Sequence, residues 1–182
     1  MNWRDWLSCL REYSDAEAFA AAFPDARRET DRNAKTPFSP LNLRLFRQTF
    51  HGLRDVILPL VENGALALPF DELPSDEMET ETEKLWLLEI CPASLLKKQK
   101  LYLSYKGRST LQRENREAIL QQTKERTRLK MSEEISQCIF EDTEGDALDA
   151  VLAAVCVFRA LQNPANFRSQ SERQKFEGRV YF

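Results

Sequence analysis

The sequence predicts an α/β fold in which a small, mainly parallel or mixed sheet is flanked by helices. Residues 85–91 read LWLLEIC, which is apolar on both alternating faces and typical of a strand buried within a sheet. Residues 147–161 carry only Asp149 and Arg159 as charged side chains, and their apolar positions cover most of the helical circumference. Such a pattern indicates a buried helix.

The other elements follow from apolar spacing, capping residues and breakers. Helical spacing predicts further helices at 3–23 (with a break and a new cap at Ser14 and Asp15), 41–61, 93–98 and 111–120. Short extended pieces are expected at 64–69 and 179–182, and a short helix or strand at 135–140. Prolines and charges predict mostly loop at 26–40 and an acidic surface connection at 74–84.

Composition bounds the class of protein. The chain has 182 residues, 42% of them hydrophobic, which is enough for a single α/β domain spanning 1–182. No apolar run has the length of a membrane span, and the charged start MNWRDWLSCLREY lacks a signal core, so a cytoplasmic protein with no membrane partner is expected. The five glycines form no phosphate-cradling loop, and the single His51 has no nucleophile motif nearby, which argues against P-loop and metal-independent hydrolases.

Charge is distributed in blocks, although the net charge is only -3. Residues 71–83 contain seven acids and no base, residues 97–130 contain eleven bases and three acids, and residues 133–149 are acidic again. Blocks of this kind are usually solvated faces. The basic block is also suited to following a phosphate backbone, so a nucleic-acid partner stays open.

Three carboxylates stand in unusual positions. Glu89 lies inside the apolar strand near its carboxyl end, where α/β sheets commonly bind ligands. Asp146 and Asp149 are three residues apart, so they share one face of the predicted helix. A strand Glu facing a helical Asp pair would make a frame for divalent cations, which accept oxygen ligands.

Plainer interpretations of the same acids remain open. Glu89 could pair with a basic side chain or lie at an exposed sheet edge. Asp146 follows Gly145 and is a natural helix N-cap, where acids also suit the helix dipole. Asp149 is less well explained by capping because the very apolar part of the helix follows it at once.

Several short segments resemble one family in order along the chain. Residues 87–94, LLEICPAS, are similar to the E-x-x-P-A segment of uncharacterised domain family 429, a family of predicted RNase H-like nucleases. Tyr105-Lys-Gly resembles its Y-K-G element, and residues 146–154, DALDAVLAA, resemble its D-x-x-D-A-L-x-A-A helix. Residues 177–182 resemble its closing E-G and strand, and Asp31-Arg32 resembles a C-D-R element in which Thr30 replaces the Cys.

The resemblance implies an RNase H-like, resolvase-type sheet flanked by helices and a two-metal nuclease site. Carried over residue by residue, Glu89, Asp146 and Asp149 would be the catalytic and metal-binding acids, and Mg²⁺ or Mn²⁺ the cofactor. Basic side chains would contact nucleic-acid phosphates, with Lys106, Arg108 and Arg32 as the candidates.

One departure from the family bears on activity. The family opens with a strand that supplies a first aspartate, whereas no apolar strand with an Asp precedes Asp31 here. The chain is therefore expected to lack the family's opening strands, either as the carboxyl-terminal portion of a longer domain or as a shortened relative. An exposed sheet edge would then need a covering helix, an oligomer or a partner chain. The expected function is a divalent-metal-dependent nuclease, either active or inactivated by the absence of the first aspartate, and the alternative is a non-catalytic relative that binds nucleic acid or protein.

Overall fold

The computed structural model describes residues 2–71, 84–169 and 171–182. Apart from Lys84, the acidic connection expected at 74–84 lies outside the described residues. In chain order the helices are α1 (Trp3–Ser8), α2 (Ala16–Ala22), α3 (Glu29–Ala34), α4 (Phe46–His51), α5 (Leu58–Glu62), α6 (Pro92–Gln99), α7 (Thr110–Thr127), α8 (Glu133–Glu141), α9 (Asp146–Leu161) and α10 (Glu172–Glu177). The strands are β1 (Leu66–Leu68), β2 (Trp86–Ile90) and β3 (Val180–Tyr181). No helix among the described residues is both long and apolar enough to span a membrane.

The chain folds as two compact units. The first unit comprises Met1–Glu89 and Asn163–Tyr181, and the second comprises Ile90–Gln162 together with Phe182. The first unit thus holds α1 to α5, α10 and nearly all of the sheet, and the second unit holds α6 to α9.

The sheet confirms the mixed α/β class. Its strands lie in the order β1-β2-β3, and β1 pairs in parallel with β2 so that Leu66 faces Trp86 and Leu68 faces Leu88. The strand predicted at 85–91 is therefore present, but its expected full burial is wrong, because β2 is half-buried and Glu89 is exposed. The neighbouring strands are only three and two residues long and cover little of it.

Each unit has its own apolar core. In the first unit, α1, the 3-10 turn Cys9–Glu12, α2 and the region 46–62 bury side chains that include Leu7, Leu10, Phe19, Phe50 and Leu58. In the second unit, α6 to α9 bury side chains that include Leu95, Ile119, Ile139, Leu148 and Leu152. One face of α9 is buried as predicted, but the expected burial around most of its circumference is wrong, because Phe158 and Leu161 are 55% and 46% exposed.

Several predicted boundaries are corrected by the structure. Residues 26–40, expected as mostly loop, contain α3, whose first backbone N–H groups are capped by a side chain from far along the chain. The helix expected at 41–61 begins at Phe46 and contains a π-helical turn at Gly52–Ile57 just before Pro59, which cannot donate a backbone hydrogen bond. The segment 135–140 is helical within α8, whose N-cap is Ser132.

Candidate functional site

The start of α9 is capped by a residue other than the one expected. Gly145, not Asp146, is the N-cap, with a φ of 76° in the left-handed region. The Asp142 carboxylate accepts hydrogen bonds from the backbone N–H of Glu144 at 3.0 Å and of Ala147 at 2.7 Å. These backbone bonds, above all that from Ala147, lower the pKa of Asp142. The capping interpretation of Asp146 is therefore wrong, and its side chain is left 81% exposed at the first turn.

The second acid of the pair, Asp149, is held by two donors. The Tyr105 hydroxyl donates to Oδ1 of Asp149 at 2.6 Å, and the Lys106 ammonium lies 2.8 Å from Oδ2. Lys106 also donates to Oδ1 of Asp146 at 3.3 Å. The structure thus brings Asp146 and Asp149 together, as their shared helical face suggested, and adds Lys106, which was expected at a phosphate.

The protonation states of the two donors follow from this geometry. Burial, together with the hydrogen bond to Asp149 and its charge, raises the pKa of Tyr105 far above its ordinary value. Burial alone would lower the pKa of Lys106, but its contacts with Asp149 and Asp146 outweigh that and raise it. At neutral pH the cluster therefore contains a neutral phenol, which donates a hydrogen bond, and a charged ammonium.

The Tyr105–Gly107 turn is held in place by a buried arginine. The Arg116 side chain is 2% exposed and donates to the backbone carbonyl oxygens of Tyr105 at 2.6 Å, Gly107 at 3.0 Å and Phe140 at 2.8 Å. The backbone N–H of Gly107 donates to the carbonyl of Thr143 at 2.6 Å. Arg116 was counted in the basic block, and the structure shows that it satisfies backbone carbonyls instead of facing solvent.

Other bases of the block also have partners within the second unit. Arg113 pairs with Glu117 at 3.0 Å, and Lys124 donates to the Ser136 hydroxyl at 3.0 Å. Arg108 is exposed and forms no hydrogen bond or ion pair with any described residue. Of the predicted phosphate contacts, Lys106 thus belongs to the carboxylate cluster and Arg108 faces solvent.

Glu89 belongs to the first unit, where its partner is an arginine that sequence reasoning missed. The Arg28 guanidinium donates to Oε2 of Glu89 at 2.9 Å and also contacts Oε1. The Glu89 side chain is 44% exposed. The plainer alternative for this acid, a pair with a basic side chain, is therefore the one found.

The same guanidinium holds a second acid. Arg28 donates to both carboxylate oxygens of Asp31, at 2.9 and 2.8 Å, and the Asp31 side chain is 2% exposed. Arg28 also donates to the backbone carbonyl of Glu177 at 2.9 Å, while the Glu177 carboxylate accepts from the N–H of Glu29 at 2.6 Å and so caps α3. Arg32, the third predicted phosphate contact, is exposed on α3.

The described residues contain no evident metal centre. Within residues 2–71, 84–169 and 171–182, no three His, Cys, Asp or Glu side chains form a group that could hold a metal ion.

A scan against protein-family models and searches of curated proteins and of solved structures found no match to this chain.

Proposed function

We propose that this chain is an RNase H-like, divalent-metal-dependent nuclease that hydrolyses nucleic-acid phosphodiester bonds, with Asp146, Asp149 and Lys106 at its site. One observation carries the proposal: a single ammonium is shared by two carboxylates at the first turn of α9, at 3.3 and 2.8 Å. A divalent cation bound there would take the place of the Lys106 ammonium between the two carboxylates.

The donor set suits Mg²⁺ or Mn²⁺. Mg²⁺ is usually held by one or two protein carboxylates, several waters and the phosphates of the substrate, and a cage of three protein acids is not needed. Asp146 is 81% exposed and Asp149 26% exposed, so both offer oxygens that solvent reaches. A cation bound there would stabilise charge on the scissile phosphodiester and its leaving oxygen.

The side chains around the pair have distinct roles in this proposal. Tyr105 fixes the orientation of the Asp149 carboxylate through its hydroxyl. Lys106, whose side chain is 51% exposed, is free to turn from the carboxylates toward a phosphate. Arg108, two residues further along, supplies a second phosphate contact. The parts assigned to Glu89 and Arg32 stay predictions from the sequence.

Cleavage assays with matched variants test the proposal. Labelled single-stranded DNA, duplex DNA, RNA and branched DNA are incubated with millimolar Mg²⁺ or Mn²⁺. Asp149→Asn is expected to lower cleavage on the order of a hundredfold, because a charged ligand is lost. Glu144→Gln makes the same charge change at an exposed acid of the same turn and is expected to leave cleavage intact. Equal cleavage by the parent protein and Asp149→Asn would refute the proposal.

A second candidate is a non-catalytic relative that binds nucleic acid or a partner protein. It is favoured by the cations that already neutralise the predicted acids, Arg28 on Glu89 and Lys106 on Asp149. Salt-sensitive nucleic-acid binding that survives replacement of Glu89, Asp146 and Asp149 by their amides, with no cleavage by the parent protein, would support it. Absence of nucleic-acid binding even at low salt would direct the search to a partner protein or an oligomer.

A further inference from the structure

The segment that precedes and includes the Lys106 turn is strongly basic. Residues 97–108 read KKQKLYLSYKGR, with five bases and no acid. The first bases lie at the end of α6, and Lys106 and Arg108 lie at the other end of the segment. The segment therefore offers positive charge to an anion such as a phosphate.

The two tyrosines of this segment have different surroundings. Leu101 and Tyr105 are 7% and 6% exposed and anchor the stretch between them, which turns tightly at Tyr102 because the N–H of Leu103 donates to the carbonyl of Leu101 at 2.9 Å. Tyr102 is 51% exposed and Leu103 41% exposed, so an aromatic ring and an aliphatic side chain project from a stretch that is fixed at both ends. A fixed, exposed aromatic ring is a surface on which a planar group can stack.

A cation accompanies the exposed ring. The Lys97 ammonium lies 5.0 Å from the centroid of the Tyr102 ring. Tyr102 lies three residues before Tyr105, which donates directly to Asp149. The exposed ring and the carboxylate pair therefore belong to one neighbourhood of the second unit.

We propose that Tyr102 and Lys97 form a stacking platform for a base of single-stranded nucleic acid, whose phosphates run along Lys106 and Arg108. This inference rests on the proposed function, because it names the substrate class of the same site. An aromatic ring with adjacent bases is the combination that binds single strands, since the faces of unpaired bases are available to stack. In a duplex those faces are covered by neighbouring base pairs, so the platform discriminates against it.

Binding is measured with the Asp149→Asn protein without divalent metal, so that cleavage cannot interfere. Fluorescence anisotropy compares fluorescein-labelled oligothymidylate with a duplex of the same length at low salt. We expect tighter binding of the single strand, and a loss of about fivefold or more on Tyr102→Ala. Tyr102→Phe keeps the ring and is expected to bind as the parent does. Leu111→Ala, at a 62% exposed position of α7, is the matched control and is expected to have no effect.

Three outcomes would overturn the platform: equal binding by Tyr102→Ala, equal affinity for the duplex, or displacement of the oligonucleotide by polyglutamate with no dependence on Tyr102. The last outcome would indicate an acidic protein as the ligand. Ring-dependent binding of the single strand without cleavage by the parent protein would support the platform and refute the nuclease. Cleavage with no dependence of binding on Tyr102 would refute the platform and leave the nuclease standing.

Discussion

In the first unit two carboxylates are joined by Arg28, and in the second unit two carboxylates are joined by Lys106. The guanidinium uses its planar fork on Asp31, which is 2% exposed, and on Glu89. The lysine is a point charge on a flexible stem, and its side chain is 51% exposed. The first arrangement is a rigid clamp between distant parts of the chain. The second is open to solvent and can be rearranged by a ligand, which is why we propose the functional site there.

The largest expected effect comes from breaking the arginine clamp. Arg28→Met leaves the buried Asp31 carboxylate without its cation and should lower the unfolding free energy by about 3 kcal/mol, measured by urea denaturation. Arg32→Met, at an exposed position of the same helix, is the control and should change stability little. Replacing both Arg28 by Met and Asp31 by Leu should recover part of the loss. A stable Arg28→Met protein would show that the clamp is not structural.

The next effect concerns the phenol in the lysine cluster. Tyr105→Phe removes a hydrogen bond to a carboxylate in a buried setting and should cost about 1.5 kcal/mol. Tyr102→Phe removes a hydroxyl from an exposed ring of the same segment and should cost nothing measurable. Equal costs for the two variants would contradict the assignment of Tyr105 as the residue that fixes Asp149.

The two units contain buried groups that should lower stability over different ranges of alkaline pH. Burial raises the pKa of Cys156, in the second unit, from 9.0 to about 11. Below pH 9 both the folded and the unfolded chain keep this proton, and above it the unfolded chain loses the proton first, so stability falls as pH rises. Between pH 9 and 10 the loss should be about 1 kcal/mol. Tyr181, in the first unit, contributes only from pH 10 upward, where its unfolded form titrates.

Hydrogen exchange of the α9 backbone amides at pH 8 to 10 measures the loss of stability that titration of Cys156 causes in the second unit. Cys156→Ala is the control, and its stability should vary less between pH 9 and 10 than that of the parent protein. The same pH dependence in both proteins would contradict the role given to this thiol.

The smallest expected effect comes from the exposed lysine. Lys106→Met should lower the unfolding free energy by about 0.5 kcal/mol at low salt. The difference should vanish at high salt because solvent-exposed ion pairs are screened. The effect of Arg28→Met should persist at high salt, since Asp31 is buried. If the loss of stability in Lys106→Met persisted at high salt, the Lys106 cluster would be structural like the Arg28 cluster, which would contradict the contrast drawn between them.

Local patterns predicted much of the fold of the second unit. The apolar periodicity of α9 is visible over a few residues, because helix formation depends on near neighbours. The face shared by Asp146 and Asp149 followed from their spacing in the same way. The short helix α3 escaped prediction because the carboxylate that accepts from the N–H of Glu29 in its first turn belongs to Glu177, 148 positions away in the sequence.

By itself, the sequence determined the α/β class, the strand at β2, the helix α9 and the helical face that Asp146 and Asp149 share, because each depends on a local periodicity. Only the tertiary structure decided which cation each acid meets. Arg28 reaches Glu89 across 61 positions, and Lys106 and Tyr105 reach the first turn of α9 across about 40. It also decided that Tyr105 is buried while Tyr102 is exposed. Such contacts arise from packing of distant segments, and nothing in the spacing of neighbouring residues encodes them.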